Sequence, residues 1–272
     1  MTPRERVKAA INFRKPDRVP VQYYYAPVGY YEHGEKLNDL YSEMEGDFAP
    51  FGRIEIPCLP ASDFDSEGKY HAFKRDEWGT FWEYRIFGVW GIPKEYPLAD
   101  KILEYDSLLV KNAIASGADG ISFGDDYGTE RGLVMSRQLW RNFFYPRLDS
   151  LFAPARDAGL AIHFHSCGNI WDLLPDFAEL GVTSIWPQLP VFNMKKLAAH
   201  CRELGLAIAI HTDRARTMTF GSPNDVRELV LREYEAFKLY DGGGWFYIEA
   251  DNGFPFTNIE ALVRAIRDIR DS

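Results

Sequence analysis

Residues 159–169 have the sequence GLAIHFHSCGN, in which an apolar run is followed by two histidines and a cysteine. The apolar run predicts a buried strand, and alternate side chains of a strand point to opposite faces of its sheet. His163, His165 and Cys167 would therefore share one face. An imidazole and a thiolate two residues apart at a strand end can both bind one Zn²⁺. The same spacing also fits a hydrogen-bonded histidine beside a buried thiol, so two ligands alone leave both interpretations open.

Helix and strand patterns alternate on both sides of this stretch, from Ala99 to the last residues. The predicted strands cover residues 117–124, 159–165, 182–186, 206–210 and 245–249. Glycines stand between each helix and the next strand, where helices commonly end. Repeated α–β units predict a parallel sheet, and a chain of 272 residues favours a (β/α)8 TIM-type barrel over a doubly wound open sheet. The sequence has no Gly-x-Gly-x-x-Gly after a strand, which disfavours dinucleotide binding.

The first 98 residues follow a different pattern. A first strand is predicted over Arg18–Tyr25 and a short second strand over Arg53–Pro57. Alternating aromatic segments on both sides of Gly79 predict an inserted β-hairpin around residues 70–90. The chain contains no low-complexity segment or clear linker, so residues 1–272 are predicted to form a single domain.

Composition and charge exclude several classes of partner. The formal net charge is −9 and no cluster of lysines and arginines stands out, so nucleic acid and anionic membrane surfaces are not expected partners. No apolar run is long enough to cross a bilayer, and the first residues do not resemble a signal peptide. Three sparse cysteines then indicate a reducing compartment, and we expect a cytoplasmic protein.

Polar and aromatic residues follow the predicted strands, at the end of a barrel where active sites lie. In chain order these are Tyr23, Tyr25, Asp125, Asp126, His165, Cys167, Trp186, Gln188, His211, Asp213, Glu249 and Asn252. Asp125 and Asp126 also fit a helix cap, and His211 with Asp213 fits either a general base or an imidazole held by a turn. The tyrosines fit either core packing or a wall for a planar ligand. Glu249 inside a barrel needs a partner or a metal, so it is the best candidate for a third ligand.

Several short segments together resemble a known family. They are residues 4–7 (RERV), 16–21 (PDRVPV), 117–121 (GADGI), 124–129 (GDDYGT), 143–147 (FFYPR), 165–169 (HSCGN), 220–223 (FGSP) and 251–253 (DNG). This combination resembles the uroporphyrinogen decarboxylase superfamily, and most closely its methyltransferase-like branch, which includes corrinoid-dependent methyltransferases. The resemblance implies a barrel with a deep pocket, in which a His-x-Cys pair and a later cysteine bind zinc. The metal lowers the pKa of a thiol substrate that attacks a methyl group. By similarity His165 and Cys167 take the first two ligand positions.

The chain departs from the family pattern in three places. No cysteine stands near the last strand, where Glu249 or Asp251 is nearest. Tyrosines 23–25 replace the arginine-rich loop of the decarboxylases, so porphyrinogen carboxylates would lack their cationic partners. About one β/α unit is missing near residue 98, which leaves an exposed strand edge for the hairpin or a second subunit to cover.

The sequence supports three functional hypotheses, which are given in order of decreasing preference. The first is a zinc-assisted methyltransferase-like enzyme that acts on a methylated corrinoid protein or a small methyl compound, and the chain could form a homodimer. His165, Cys167 and Glu249 would hold the metal. The residues assigned to orient substrate or move protons are Asp125, Asp126, His211 and Asp213, and the pocket lining is Tyr23, Tyr25, Trp186, Gln188 and Asn252. The second is a metal-free decarboxylase that uses Arg131, Arg214 and Arg216, and the third is a non-catalytic ligand-binding barrel.

Overall fold

The computed structural model describes residues 1–48, 52–77, 79–88, 91–93 and 99–271. The helices in these ranges are α1 (Pro3–Ile11), α2 (Pro27–His33), α3 (Glu35–Ser42), α4 (Ala99–Ala115), α5 (Arg137–Phe143), α6 (Tyr145–Asp157), α7 (Leu174–Glu179), α8 (Met194–Leu204), α9 (Thr217–Phe220), α10 (Pro223–Phe237) and α11 (Phe256–Arg270). The strands are β1 (Val21–Tyr23), β2 (Ala72–Arg75), β3 (Phe81–Tyr84), β4 (Ile92–Pro93), β5 (Gly120–Gly124), β6 (Ala161–Ser166), β7 (Ser184–Pro187), β8 (Ala207–His211) and β9 (Gly244–Ile248). None of these helices combines the length and the apolar composition needed to cross a bilayer.

The main sheet is a shortened (β/α) barrel. Its strands lie in the order β1-β9-β8-β7-β6-β5, and every neighbouring pair is parallel. Two strands lie between β6 and β9, so a flat sheet would hold them about 14 Å apart. The rings of His163 on β6 and Trp245 on β9 are nevertheless only 5.5 Å apart. The sheet therefore curls around an interior, which confirms the predicted barrel class over a doubly wound open sheet.

The two faces of the sheet differ in composition. The outer face of β6 carries Ile162 and Phe164, which belong to the large core between sheet and helices. The inner face carries His163 and His165, as the alternation predicts. A smaller apolar cluster fills the interior around Ala207, Ala209, Trp245 and Tyr247. The small alanines of β8 leave room there for the aromatic rings of β9.

The barrel is open between β1 and β5, because no strand in the described ranges pairs with the free edge of either. The predicted second strand over Arg53–Pro57 is wrong, since this segment forms no sheet pairing. Its backbone is satisfied by a helix side chain instead. The Asn38 amide on α3 donates to the Ile54 carbonyl and accepts from the Ile54 amide, both at 2.9 Å. An asparagine thus takes the place of a neighbouring strand.

The predicted hairpin is confirmed. Strands β2 and β3 pair antiparallel, with Ala72 opposite Tyr84, and β4 extends them to a small three-stranded sheet. The Phe87 ring lies 5.8 Å from that of Tyr31 on α2. Because α2 follows β1, the inserted hairpin is anchored at the carboxyl end of the barrel strands.

A buried carboxyl group on α10 makes the stability of the fold depend on pH. Glu233 is 1% exposed and accepts a hydrogen bond of 3.1 Å from the Thr212 hydroxyl. Burial raises the pKa of Glu233 from 4.5 to about 8, with a further increase from Asp213 and opposition from Thr212 and Arg232. Between these values the folded protein keeps a proton that the unfolded chain has lost. Stability therefore falls as pH rises from 4.5 towards 8.

The substitution Glu233→Gln should remove this part of the pH dependence. We expect the variant to be more stable than the parent at pH 8 by up to a few kcal/mol, because a tenfold difference in proton affinity between the folded and unfolded states corresponds to about 1.4 kcal/mol. Denaturant unfolding at pH 5, 6.5 and 8 measures the difference. Glu235→Gln, on the exposed side of the same helix, is the matched control. Parallel pH profiles for the parent and Glu233→Gln would contradict the assignment.

Candidate metal centre

Two loops at the carboxyl ends of β5 and β6 are packed backbone against backbone. The Gly128 amide donates to the Cys167 carbonyl at 3.2 Å, and the Asn169 amide donates to the Thr129 carbonyl at 2.7 Å. The Tyr127 amide donates to the buried Ser166 hydroxyl at 3.0 Å. These bonds place the start of the first loop directly above the end of β6.

Three potential metal ligands meet where the loops touch. Atoms of Asp126, His165 and Cys167 all lie within 4.8 Å of one another. His165 Nε2 is 3.5 Å from Cys167 Sγ and 3.6 Å from Asp126 Oδ1. Metal–ligand bonds of about 2.0–2.3 Å in a tetrahedron place ligand atoms roughly 3.3–3.8 Å apart. The two separations from His165 fit one Zn²⁺-sized ion, and the ligand atoms of Asp126 and Cys167 lie within 4.8 Å of each other.

The imidazole of His165 is held in the tautomer that a metal requires. Its Nδ1 lies 2.9 Å from the Trp186 carbonyl oxygen, which can only accept a hydrogen bond. Nδ1 therefore carries the proton, and the lone pair of Nε2 points towards Asp126 and Cys167. Burial also lowers the pKa of His165, which keeps the ring neutral. A backbone carbonyl that orients a histidine is a common outer-shell partner at metal sites.

The thiol of Cys167 is partly shielded and close to a cation. Burial and the Asp126 carboxylate raise the pKa of Cys167 to about 11, against the opposing influence of Arg214. Arg214 Nη2 lies 3.7 Å from Cys167 Sγ, and its Nη1 lies 3.4 Å from Asp251 Oδ2. The Cys167 amide donates to Asp126 Oδ1 at 2.8 Å. This sulfur would need a bound cation to ionise near neutral pH.

Two of the three residues, His165 and Cys167, line an open cleft, and Trp186 gives it an aromatic wall. The cleft is lined by His165, Cys167, Trp186, Pro187, Gln188, Leu189, Pro190, His211, Thr212, Arg214 and Ala215. The Trp186 ring lies 4.0 Å from the His165 ring and 4.3 Å from that of Tyr247. Gln188 supports the floor, because its Oε1 accepts from the Gly168 amide at 2.9 Å. An ion in this position would have one side open to a ligand in the cleft.

A second pair of titratable groups lies on the same wall. His211 Nε2 is 3.5 Å from Glu249 Oε2, and neither buried atom has a hydrogen-bond partner in the part of the chain that the structure describes. Burial lowers the pKa of His211 to about 3 and raises that of Glu249 to about 7. Glu249 therefore contacts His211 and lies outside the group of three ligands, where Asp126 occupies the third position instead.

Several predicted site residues lie elsewhere. Asp125 faces away from the cluster, towards Tyr127 and Asp106 of α4. Asp213 accepts from the amides of residues 215–217 and orders the loop before α9. Asn252 is exposed in the turn after β9. The structure therefore does not bring these three side chains into the cleft. Among the cations considered for a decarboxylase, Arg131 and Arg216 are exposed, and Arg214 alone lines the cleft.

The two tyrosines predicted to line the pocket, Tyr23 and Tyr25, do not face the interior of the barrel. Tyr23 is buried in the outer core against Tyr41, at a ring distance of 4.6 Å, and Tyr25 is an exposed residue beside Tyr30. Tyr24 is the one that turns inward, with its ring 5.5 Å from Tyr247. The alternation along the strand is consistent with this arrangement, because it places Val21 and Tyr23 on the outer face and Gln22 and Tyr24 on the inner face. Arg214 was missed as a neighbour of Cys167 because 47 residues separate them in sequence.

Comparison with known proteins adds little to this geometry. No family model matches the chain, and no curated protein matches it. Part of the chain is similar to a methyltransferase from Methanosarcina mazei, at 20% identity and a TM-score of 0.47 over 62% of this chain and 48% of that one. It is also similar to a dihydropteroate synthase from Stenotrophomonas maltophilia, at 14% identity and a TM-score of 0.42 over 61% of this chain and 63% of that one. The chain thus spans about half the length of the first of these proteins. Structural similarity at these TM-scores and identities does not assign an activity. The resemblance to the uroporphyrinogen decarboxylase superfamily therefore stays a prediction.

Proposed function

We propose that this chain is a zinc-assisted methyltransferase-like enzyme whose metal is held by Asp126, His165 and Cys167. The observation that carries the proposal is the convergence of one carboxylate, one tautomer-fixed imidazole and one thiol at the mouth of the barrel. This set replaces the ligand set predicted from sequence, in which Glu249 took the third position. Nitrogen, sulfur and oxygen ligands together suit Zn²⁺.

The cleft gives this centre the form of a catalytic site. Three protein ligands leave a fourth position for a substrate, as in catalytic zinc centres generally. The zinc, when bound, would supply a Lewis acid that lowers the pKa of a thiol substrate. The Trp186 ring would exclude water from the methyl group, and Arg214 would hold an anionic part of the substrate beside Cys167.

The methyl donor in this proposal is a corrinoid-carrying partner protein or a small methyl compound. Both would reach the metal through the open side of the cleft. Pairing of two copies across the free edges of β1 and β5 belongs to the same proposal, because an unpaired edge strand is a ready site for association. The decarboxylase hypothesis is not supported, since it needs several cations around the cleft.

Metal content is the direct test. We expect the purified protein to contain about one Zn²⁺ per chain, and His165→Ala, Cys167→Ser and Asp126→Asn each to lose most of it. Elemental analysis by mass spectrometry after exhaustive dialysis measures this. Asp125→Asn is the matched control, because it changes the adjacent carboxylate that faces away from the cluster. The same zinc content in the parent and in His165→Ala would exclude this centre.

Activity is tested separately on the zinc-loaded protein. Methylcobalamin and small O-methyl and N-methyl compounds are offered as donors with a simple thiol as acceptor, and the thioether product is measured by mass spectrometry. Methyl transfer is supported if the parent forms the thioether and the Cys167→Ser variant does not. Full zinc occupancy with no thioether from any donor would keep the metal centre and reject the methyltransferase function.

A further inference from the structure

The His211–Glu249 pair is not explained by the packing of the barrel. His211 is the last residue of β8 and Glu249 directly follows β9, so both stand at the carboxyl end of the strands. Their side chains are only 9% and 11% exposed, and Nε2 and Oε2 face each other at 3.5 Å without a hydrogen bond. Buried polar atoms without a hydrogen-bond partner are unfavourable and rare in folded proteins. Two such atoms facing each other indicate that a proton or a ligand atom belongs between them.

The surroundings decide which group holds the proton. Glu249 faces the Asp251 carboxylate, the Arg214 guanidinium and the hydroxyls of Tyr247, Tyr24 and Tyr41. Burial and Asp251 together outweigh Arg214 and Tyr247 and favour the protonated carboxylic acid. His211 faces Arg214 and His165, and burial favours its neutral ring. A neutral acid therefore stands against a neutral imidazole that can accept its proton.

The position of His211 connects this pair to the proposed metal centre. His211 lines the cleft together with His165 and Cys167, whereas Glu249 lies behind it. The Trp186 ring contacts both histidines, with ring distances of 4.0 Å to His165 and 5.3 Å to His211. A methyl donor seated against Trp186 would have the metal on one side and His211 on the other.

We propose that Glu249 and His211 form a proton relay that protonates the leaving group of the methyl donor. The inference rests on the proposed methyl-transfer function and specifies its substrate class. His211 is the residue that would touch the donor, and Glu249 acts through it by holding the replacement proton.

The reaction transfers one methyl group to the thiol and one proton to the leaving group. The thiol acceptor releases its proton to solvent when it binds the metal, and its sulfur forms a bond to the methyl carbon. The bond between carbon and the leaving atom breaks, and its electron pair stays on that atom. His211 gives the Nδ1 proton to the leaving atom and takes the Glu249 proton at Nε2. A solvent proton then adds to Nδ1 and the Nε2 proton returns to Glu249, which restores the starting state. The net reaction converts a thiol and a methyl ether into a thioether and an alcohol.

This relay selects among donors. An alkoxide or phenoxide is a strong base and departs readily only when it is protonated. A corrinoid cobalt departs without a proton, so a relay would give no advantage to that donor. The buried pair therefore favours small O-methyl compounds over a methylated corrinoid as the direct methyl source.

The test compares donors in the zinc-loaded protein. We expect Glu249→Gln to lower kcat/KM for methyl phenyl ethers by about 10²-fold or more, and to change that for methylcobalamin by less than about threefold. In the parent, turnover of the ether should fall as pH rises through about 7, because Glu249 then loses its proton. Turnover by the Glu249→Gln variant should not show this decrease with pH. Glu233→Gln is the control, because it changes another buried carboxyl group that does not line the cleft.

The outcomes separate the two proposals. An equal loss for both donors, or no loss for either, overturns the relay and leaves zinc-assisted methyl transfer standing. No transfer from either donor by the zinc-loaded parent rejects the proposed function and the relay with it. If Glu249→Gln does not fold, a series of ethers with phenols of graded acidity is measured in the parent. A relay makes kcat/KM depend weakly on phenol acidity, and a steep dependence overturns it.

Discussion

Gly168→Ala is expected to abolish zinc binding and to lower the free energy of unfolding by about 3–5 kcal/mol. Gly168 has a φ of +78°, and a Cβ atom built on it would lie 2.1 Å from the carbonyl carbon of Gly128. The atom it meets belongs to backbone, so no side chain can rotate away. The two loops that join Asp126 to Cys167 would have to separate, and the three ligand atoms would no longer converge.

A matched control separates backbone conformation from the steric clash. Gly159 precedes the same strand with a φ of +73°, but a Cβ there meets nothing within 4 Å. Gly159→Ala should therefore cost only about 1–2 kcal/mol for the left-handed conformation and keep the full zinc content. Denaturant unfolding and elemental analysis of both variants measure the difference. Equal destabilisation and equal zinc content in the two variants would show that the loop contact is unimportant.

Asp47→Asn is expected to lower the free energy of unfolding by about 3–5 kcal/mol without altering the ligands of the metal centre. The Asp47 side chain is fully buried at the opposite end of the barrel, where β1 begins. It accepts hydrogen bonds from Arg6 at 2.5 Å, from Arg18 at 2.8 Å and from the Val21 amide at 3.0 Å. Removing its charge leaves the Arg6 and Arg18 guanidinium groups with one carboxylate between them, that of Asp17, which lies 2.6 Å from Arg6 Nε.

The control for Asp47 is an ion pair of the same type on the surface. Asp119 is 42% exposed and pairs with Arg4 and Lys8, which lie on the same helix as Arg6. Asp119→Asn should leave the unfolding midpoint nearly unchanged, because exposed ion pairs contribute little. Urea unfolding of both variants makes the comparison, and zinc analysis of the folded protein checks the distant site. A loss of zinc in the folded Asp47→Asn variant would contradict the expectation that the two ends of the barrel are independent.

The local pattern of the sequence predicted much of this architecture. The alternation in residues 159–169 placed His165 and Cys167 on one face of a strand, and their Nε2 and Sγ atoms lie 3.5 Å apart. Local contacts also fix helix starts, as at Thr2 and Ser222, where capping boxes form. These features depend on contacts within a few residues, so the order of amino acids is sufficient to indicate them.

The position of one element against another could be decided only by the tertiary structure. Asp126 rather than Glu249 lies beside His165 and Cys167 because two glycines allow two loops to touch, and that contact joins residues 41 positions apart. The segment 53–57 had a strand-like sequence, but a helix side chain satisfied its backbone. Tyr24 rather than its neighbours packs near Tyr247 and Trp186 because the curl of the sheet selects the inner face. Periodicity along the chain defines the two faces of an element, and only the packing of distant elements decides which face meets the site.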